Sequence, residues 1–449
     1  MQHEMRLLVI GLLFQCATGA ALAAPQNQPT SAPATEESDD AERITVVKAG
    51  TILTGAGKPI KNGLIVIRGA KIENVGTGID YPRNATVIDA SDRVVMPGLI
   101  DPATRFSLSP YSRSGVHANL TVADEYTPRD GRFDDLLDAG YTCVALIPAG
   151  GGIPGRALVI RTAGDAAAGT LLDPGYVRIA AGKAELRGAL DKAQAEIDKV
   201  EKARKDFEAK QKKQADSGKK QPQPKPKPAA RAKQPPATQP ASQPTSAPAS
   251  QPAFKPPPID PAFQPLVDLI QKKDGLFALI EFTNASDLLH FDQVLKKHEI
   301  AHHFAIRNRT QSDLLYVVDS LGERKAQIVV RPYVGRIPYS AERINLMREL
   351  DQAGCEVTCA PVSDSARSHR EMLARLAELV RAGWSRDAAL ASVTLHPARL
   401  LGLEKRLGSI EKGKDADLIF LDADPLDPRA RVRSVMIAGR VVHTVEAPK

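Results

Sequence analysis

Between Val95 and Cys359, short and nearly continuous apolar runs alternate with stretches of helical periodicity, and few folds accommodate that alternation. The runs are Val95 to Ile100, Thr142 to Ile147, Gly275 to Phe282, Ala301 to Ile306, Ala326 to Val330 and Glu356 to Cys359. Parallel strands are covered on both faces, so they show no regular polar alternation. Helical stretches intervene at Phe133 to Ala139, Asp287 to Lys297, Ser340 to Ala353, Ser368 to Ala382 and Ser385 to Ser392. Repeated βα units of this length predict an α/β protein with a parallel sheet, open or closed into a barrel.

The two ends read differently. From Ile44, β-branched runs are separated by Gly and Asn-Gly pairs, and Asn62-Gly63 signals a hairpin turn. A second β-rich block covers Ala416 to Leu421 and Val432 to Val442, with Gly439 at a turn. β-rich blocks at opposite ends predict one small sheet domain closed by both termini.

Two segments lie outside any core. Leu7 to Phe14 is apolar and Ala21-Leu22-Ala23 has the small-x-small pattern of a cleavage site, so residues 1–23 read as a signal peptide. The run is too short to span a bilayer, which predicts export to the periplasm or beyond without a transmembrane anchor. Residues 24–42 are rich in Pro, Ser, Ala and Glu and read as disordered. Residues 183–213 form one long amphipathic helix, with Leu186, Leu190, Ala193, Ile197, Val200 and Phe207 on one stripe. Residues 214–258 are a Pro-rich disordered insertion. The sheet domain then takes residues 43–97 and 404–449, and the βα domain residues 98–182 and 259–403.

The net charge of +7 invites a nucleic-acid reading. The excess Lys, however, crowds between Lys199 and Lys233, where no aromatic rings alternate with it for base stacking. A solvated basic linker is the expectation, with no nucleic-acid partner. Cleavage would leave Cys143, Cys355 and Cys359, an odd number that argues against a disulfide framework. Cys355 and Cys359 on one strand would lie about 13 Å apart, beyond bridging distance.

Two long motifs resemble those of the amidohydrolase superfamily. Val87 to Asp101 (VIDASDRVVMPGLID) resembles the lead into that family's first barrel strand. Thr394 to Pro428 (TLHPARLLGLEKRLGSIEKGKDADLIFLDADPLDP) resembles its C-terminal signature. Ala123 to Asp130 and Ala139 to Gly164 are similar to imidazolonepropionase-like members. The resemblance implies a (β/α)8 barrel with a discontinuous small β-sandwich formed by both termini. It also implies one or two divalent metals, zinc among them, at the C-terminal mouth of the barrel. Such metals lower the pKa of a bound water for hydrolysis of carbon–nitrogen bonds other than peptide bonds.

The ligand positions of that pattern are replaced here. Where the family has His-x-His after the first strand, this chain has Ala103 and Arg105. Glu281 and Thr283 stand where a second His pair is usual, and Asn308 replaces a further His. Asp364 is the candidate for the proton-accepting Asp, two residues late in the motif. Glu281 and Asp364 are therefore the candidate catalytic groups, and Arg105 and Asn308 the candidate ligand-binding groups. No metal ligand set is assigned and no cofactor is expected. Two readings of Arg105 stay open: its guanidinium takes over the metal's charge and pairs with Glu281 or Asp364, or it reaches solvent.

Other motifs carry less. His298 to His302 spells H-E-x-x-H, but the following strand breaks the helix a zinc protease needs. Gly150-x-Gly152-x-x-Gly155 matches a dinucleotide fingerprint by letters, yet Pro154 and the run Ala157 to Ile160 point to a loop over the mouth. His117, Asp124 and Glu125 could line the pocket. The sequence thus predicts an exported, amidohydrolase-like protein without the metal site, serving in binding or assembly. A small molecule at the barrel mouth, a homo-oligomer or an intact relative is the expected partner. The alternatives are a working hydrolase with an altered or single-metal site and an envelope module that acts through its helix and Pro-rich arm.

Overall fold

The computed structural model describes residues 43–445 apart from 129, 164–168, 219–252, 274, 308–312 and 338. The expected signal peptide, the segment 24–42 and most of the Pro-rich insertion lie outside the described residues.

Both ends of the chain contribute to one seven-stranded sheet. Its central strand, Thr86–Pro97, runs parallel to Ile44–Ile52 and antiparallel to Leu418–Leu421. At twelve residues it is long enough to pair with both blocks. One hydrogen-bonded sheet thus joins the two terminal blocks, over a core that includes Ile52, Ile65, Val95, Leu418 and Phe420. Asn62-Gly63 is not the hairpin turn. It lies inside the strand Ile60–Arg68, where Asn62 takes a positive φ of 48° and Gly63 pairs with Ala49. The turn falls instead in the segment 53–59, rich in Gly and Pro. The second expected turn is present: Ala438 and Gly439, both at positive φ, join Val432–Ile437 to Arg440–Thr444.

Seven parallel strands among the described residues make the βα domain, in two ladders. Leu99–Thr104 pairs with Tyr141–Leu146. Val177–Ala180, Ala278–Phe282, His302–Ile306, Gln327–Val330 and Glu356–Cys359 form the other. The expected eight-stranded barrel does not close. At one seam the antiparallel stretch Gly152–Arg161 changes partner at Ala157, whose N–H donates to the Tyr176 carbonyl at 2.9 Å. At the other seam no strand intervenes among the described residues. The Cys359 N–H donates to Ser392 and the Ile100 N–H to Val393, both at 2.9 Å.

Successive strand residues point to opposite faces. The inner face of the ring carries Ile100 and Leu279 beside the smaller Cys143, Ala145, Val159, Ala305 and Val329. The outer face carries Leu146, Val177, Ile280, Phe304, Ile328 and Val357, which pack under helices. The helix Lys183–Gly218 covers part of that surface. Leu186, Leu190, Ala193 and Ile197 are buried at alternating steps of four and three. Further along, Phe207 meets Phe254 with ring centroids 5.5 Å apart. Cys143, Cys355 and Cys359 are free and buried.

Candidate functional site

The inward register decides what stands at the C-terminal end of the ring, where barrels of this kind carry their chemistry. Ala305 and Val329 point inward, so Arg307 and Arg331, two residues further along, point into the mouth. Leu279 places Glu281 in the same way, and the outward Val177 and Ile179 leave Arg178 inward. These side chains, with Arg105 and Asp364, charge a cavity of about 470 Å³ whose remaining wall is mostly small and apolar.

Glu281 is the centre of the mouth. Arg178 grips it as a fork, Nε to Oε1 at 2.8 Å and Nη2 to Oε2 at 2.9 Å. Arg307 adds Nη1 to Oε2 at 2.7 Å. The remaining Arg178 nitrogen, Nη1, donates to the carbonyls of Pro148 and Gly150 at 2.6 and 3.0 Å. Both side chains of the fork are buried, at 5% and 8% exposure. Burial pushes the Glu281 carboxyl up, but hydrogen bonds and charge from the two arginines outweigh it and hold the group below its usual range.

Asp364 is held on another wall. Its Oδ1 accepts from the Thr104 hydroxyl at 2.9 Å and from the Arg105 backbone N–H at 3.0 Å. The Arg105 guanidinium turns away and donates to the carbonyls of Ser109 and Tyr111. The expected pairing of that guanidinium with Glu281 or Asp364 is therefore not formed. Arg178 and Arg307, which the sequence reading did not single out, pair with Glu281 instead. A signal was available for Arg307, which follows the strand His302–Ile306 in inward register, but not for Arg178, whose strand is too short to leave an apolar run. Asn308 and Thr310 lie outside the described residues.

Beneath the mouth lies a second pair that the sequence reading missed. Asp101 Oδ2 faces His369 Nε2 at 2.9 Å, and His369 Nδ1 faces the Ser365 carbonyl at 2.9 Å. Both ring nitrogens thus meet acceptors, and only the doubly protonated imidazolium can donate to both. Burial lowers the His369 pKa, but the Asp101 bond and charge and the Ser365 carbonyl outweigh it and raise the group above its usual value. Asp101 Oδ1 also accepts the N–H of Ala103, a wall residue. The pair therefore ties the end of the first strand to the turn that carries Asp364.

The donor set at the mouth does not fit the divalent metal that the family resemblance implies. Both Glu281 oxygens are taken by guanidinium groups, and the only other carboxylate among the described lining residues is Asp364. Among the described residues no three His, Cys, Asp or Glu side chains gather as a metal site. The Arg178 and Arg307 guanidinium groups beside Glu281 would also repel a cation.

The remaining motifs fall elsewhere. His117 bonds the Ser114 carbonyl, Asp124 is exposed and Glu125 pairs with Arg113 at 2.7 Å; none of the three lines the cavity. The helix Ala285–Leu295 ends before His298, which bonds Asp191 at 2.7 Å, and His302 opens a strand. Gly150 and Gly151 line the mouth, and the loop from Ser112 runs beside them.

The amidohydrolase family profile matches residues 283–442. Over 64 residues the chain is 48% identical to the N-acetylglucosamine-6-phosphate deacetylase of Bos taurus, a stretch that is 14% of each protein. Over 58 residues it is 41% identical to the dihydroorotase of Mycobacterium leprae, 13% of each protein. The matched stretch thus spans about a seventh of these curated relatives. Among solved structures, an amidohydrolase from Thermotoga maritima superposes with a TM-score of 0.67 at 18% identity, covering 89% of this chain and 100% of that one. At that identity the likeness concerns the fold.

Proposed function

We propose, on the premise that the chain belongs to the amidohydrolase superfamily, that it is an exported member which binds a small molecule at the barrel mouth and does not carry out metal-dependent hydrolysis. The observation that carries this reading is the Arg178–Glu281 fork. A guanidinium saturated by one carboxylate and two backbone carbonyls takes the place a cation would need. The described lining residues offer no imidazole, hydroxyl, thiol or amine to activate water, and Asp364 is already hydrogen bonded on one oxygen.

Metal analysis of the purified protein tests this, combined with a panel of amide, urea and cyclic imide substrates before and after zinc is added. Metal well below one ion per chain and no turnover in either arm are expected. Stoichiometric zinc together with turnover sinks the reading. Export is tested separately by sequencing the N-terminus of the secreted chain, which on this reading begins at Ala24. Self-association or pairing with an intact relative belongs to the same proposal, and a protein that purifies as a monomer with no companion counts against it.

A further inference from the structure

We infer that the ligand of this mouth is a small oxyanion, a carboxylate or a phosphate monoester, carried on a compact apolar body. The inference rests on the metal-free reading above. Arg178 and Arg307 share the single Glu281 carboxylate, so more guanidinium than carboxylate charge stands on that wall of the cavity. Neither lining carboxylate restores the balance toward a cation. Glu281 has both oxygens on arginine, and Asp364 accepts a hydroxyl and an amide N–H.

Arg307 is placed to receive the anion. Glu281 takes its Nη1, while the side chain remains 45% exposed at the rim. Glu281 thereby acts as a positioning residue, since it fixes the fork of an arginine whose outer edge faces the cavity. A preset planar fork suits two oxygens of one anion better than a flexible ammonium would. The floor is different in kind. Ala103, Ala305, Val329 and Ala360 offer no polar atoms beyond the backbone and suit an apolar body rather than a hydrated polyol.

Calorimetric titration of the full chain in EDTA tests the inference with benzoate, phenyl phosphate and the neutral isostere benzamide. At least one anion is expected to bind, with affinity that falls as salt is added, and benzamide is not. Arg307→Ala is expected to weaken the anion at least tenfold and Arg307→Lys to restore part of the loss. Arg429→Ala, at an exposed surface pair, is expected to change nothing. Circular dichroism confirms that each variant is folded, and Arg178 still holds Glu281 when Arg307 is removed. The two anions separate carboxylate from phosphate chemistry. Equal binding of benzamide, no binding of either anion, or an unaltered affinity in Arg307→Ala overturns the inference while metal content and hydrolysis stay as proposed. Anion binding that appears only after zinc is added overturns the metal-free reading as well.

Discussion

Arg178 and Glu281 form a buried two-point fork, with nitrogen–oxygen distances of 2.8 and 2.9 Å, at the end of neighbouring parallel strands. Register explains the pairing. Arg178 lies opposite Leu279, so Glu281 stands one inward step further up the adjacent strand. The fork therefore belongs to the rigid ladder rather than to a loop, and it also ties down the Pro148 and Gly150 carbonyls.

Breaking one side of this fork is expected to cost far more than removing both. Arg178→Ala leaves a buried carboxylate with one remaining guanidinium and two carbonyls without their donor. A loss of about 3–5 kcal/mol is expected in urea unfolding. The double change Arg178→Met with Glu281→Leu removes both charges at similar volume and should lose much less, because the desolvation of both ions disappears with them. A single variant that unfolds within about 1 kcal/mol of the parent would show the fork to be solvated.

The strands were legible because burial on both faces leaves a compositional trace. Gln327–Val330 and Glu356–Cys359 fall within a residue of the apolar runs that announced them. Val177–Ala180 was not legible: four residues, one of them Arg178, directly before a helix give no run to detect. Losing that strand hid the principal partner of Glu281. Glu281, Arg105 and Asp364, taken from the family motifs, all line one cavity. The motifs could not say which guanidinium meets which carboxylate, because Arg105 sits on a loop whose path is set by the carbonyls of Ser109 and Tyr111. Asn62-Gly63 misled for a local reason, as a residue tolerant of positive φ also serves inside a strand.

His369 makes stability depend on pH. Its folded pKa is raised above the unfolded value of about 6.5. Its contribution is therefore complete below that value and is lost as pH rises through the folded one. His369→Gln can keep at most one of the two bonds as a donor and has no charge to lose. The stability gap between parent and variant should narrow as pH rises from 6 to 9, measured by urea unfolding. A gap that stays constant across that range contradicts an imidazolium at this position. Glu281 acts on the acid limb: held below its usual value, it contributes above about pH 4.5 and loses that contribution as acid protonates it.

Gly150 is required by the close approach of the loop over the mouth. Its φ is +120°, and a Cβ placed there would stand 1.5 Å from the Arg113 carbonyl oxygen. Gly151, beside it, has open space where a Cβ would stand and no positive φ. Gly150→Ala is expected to lower the melting temperature and expose the segment 112–117 to protease, at a cost of about 1–3 kcal/mol or more from strain alone. Gly151→Ala should be nearly silent. Equal behaviour of the two would mean that the loop is not held against this strand.

The C-terminal signature carries an architectural task. Asp415 and Asp417 flank Ala416 just before the strand Leu418–Leu421 and reach across to Arg161 at the end of a βα-domain strand. Arg161 Nη2 meets Asp415 at 2.7 Å and its Nε meets Asp417 at 3.2 Å. Lys71 and Arg406 also hold Asp415, while the Ala438 N–H donates to Asp417 at 2.7 Å. The Arg161 and aspartate side chains are 9% and 4% exposed, so the cluster is a seam between the terminal sheet and the βα domain. Burial pushes the Asp417 carboxyl up, and Arg161 and the Ala438 N–H bring it only part of the way back. Arg161→Met should therefore destabilise by about 3–5 kcal/mol. Hydrogen exchange should speed up first in Leu418–Leu421 and Val432–Ile437, ahead of the strands around the mouth. Exchange that accelerates uniformly, or a variant that unfolds at the parent's midpoint, would remove the seam as the reason for the motif.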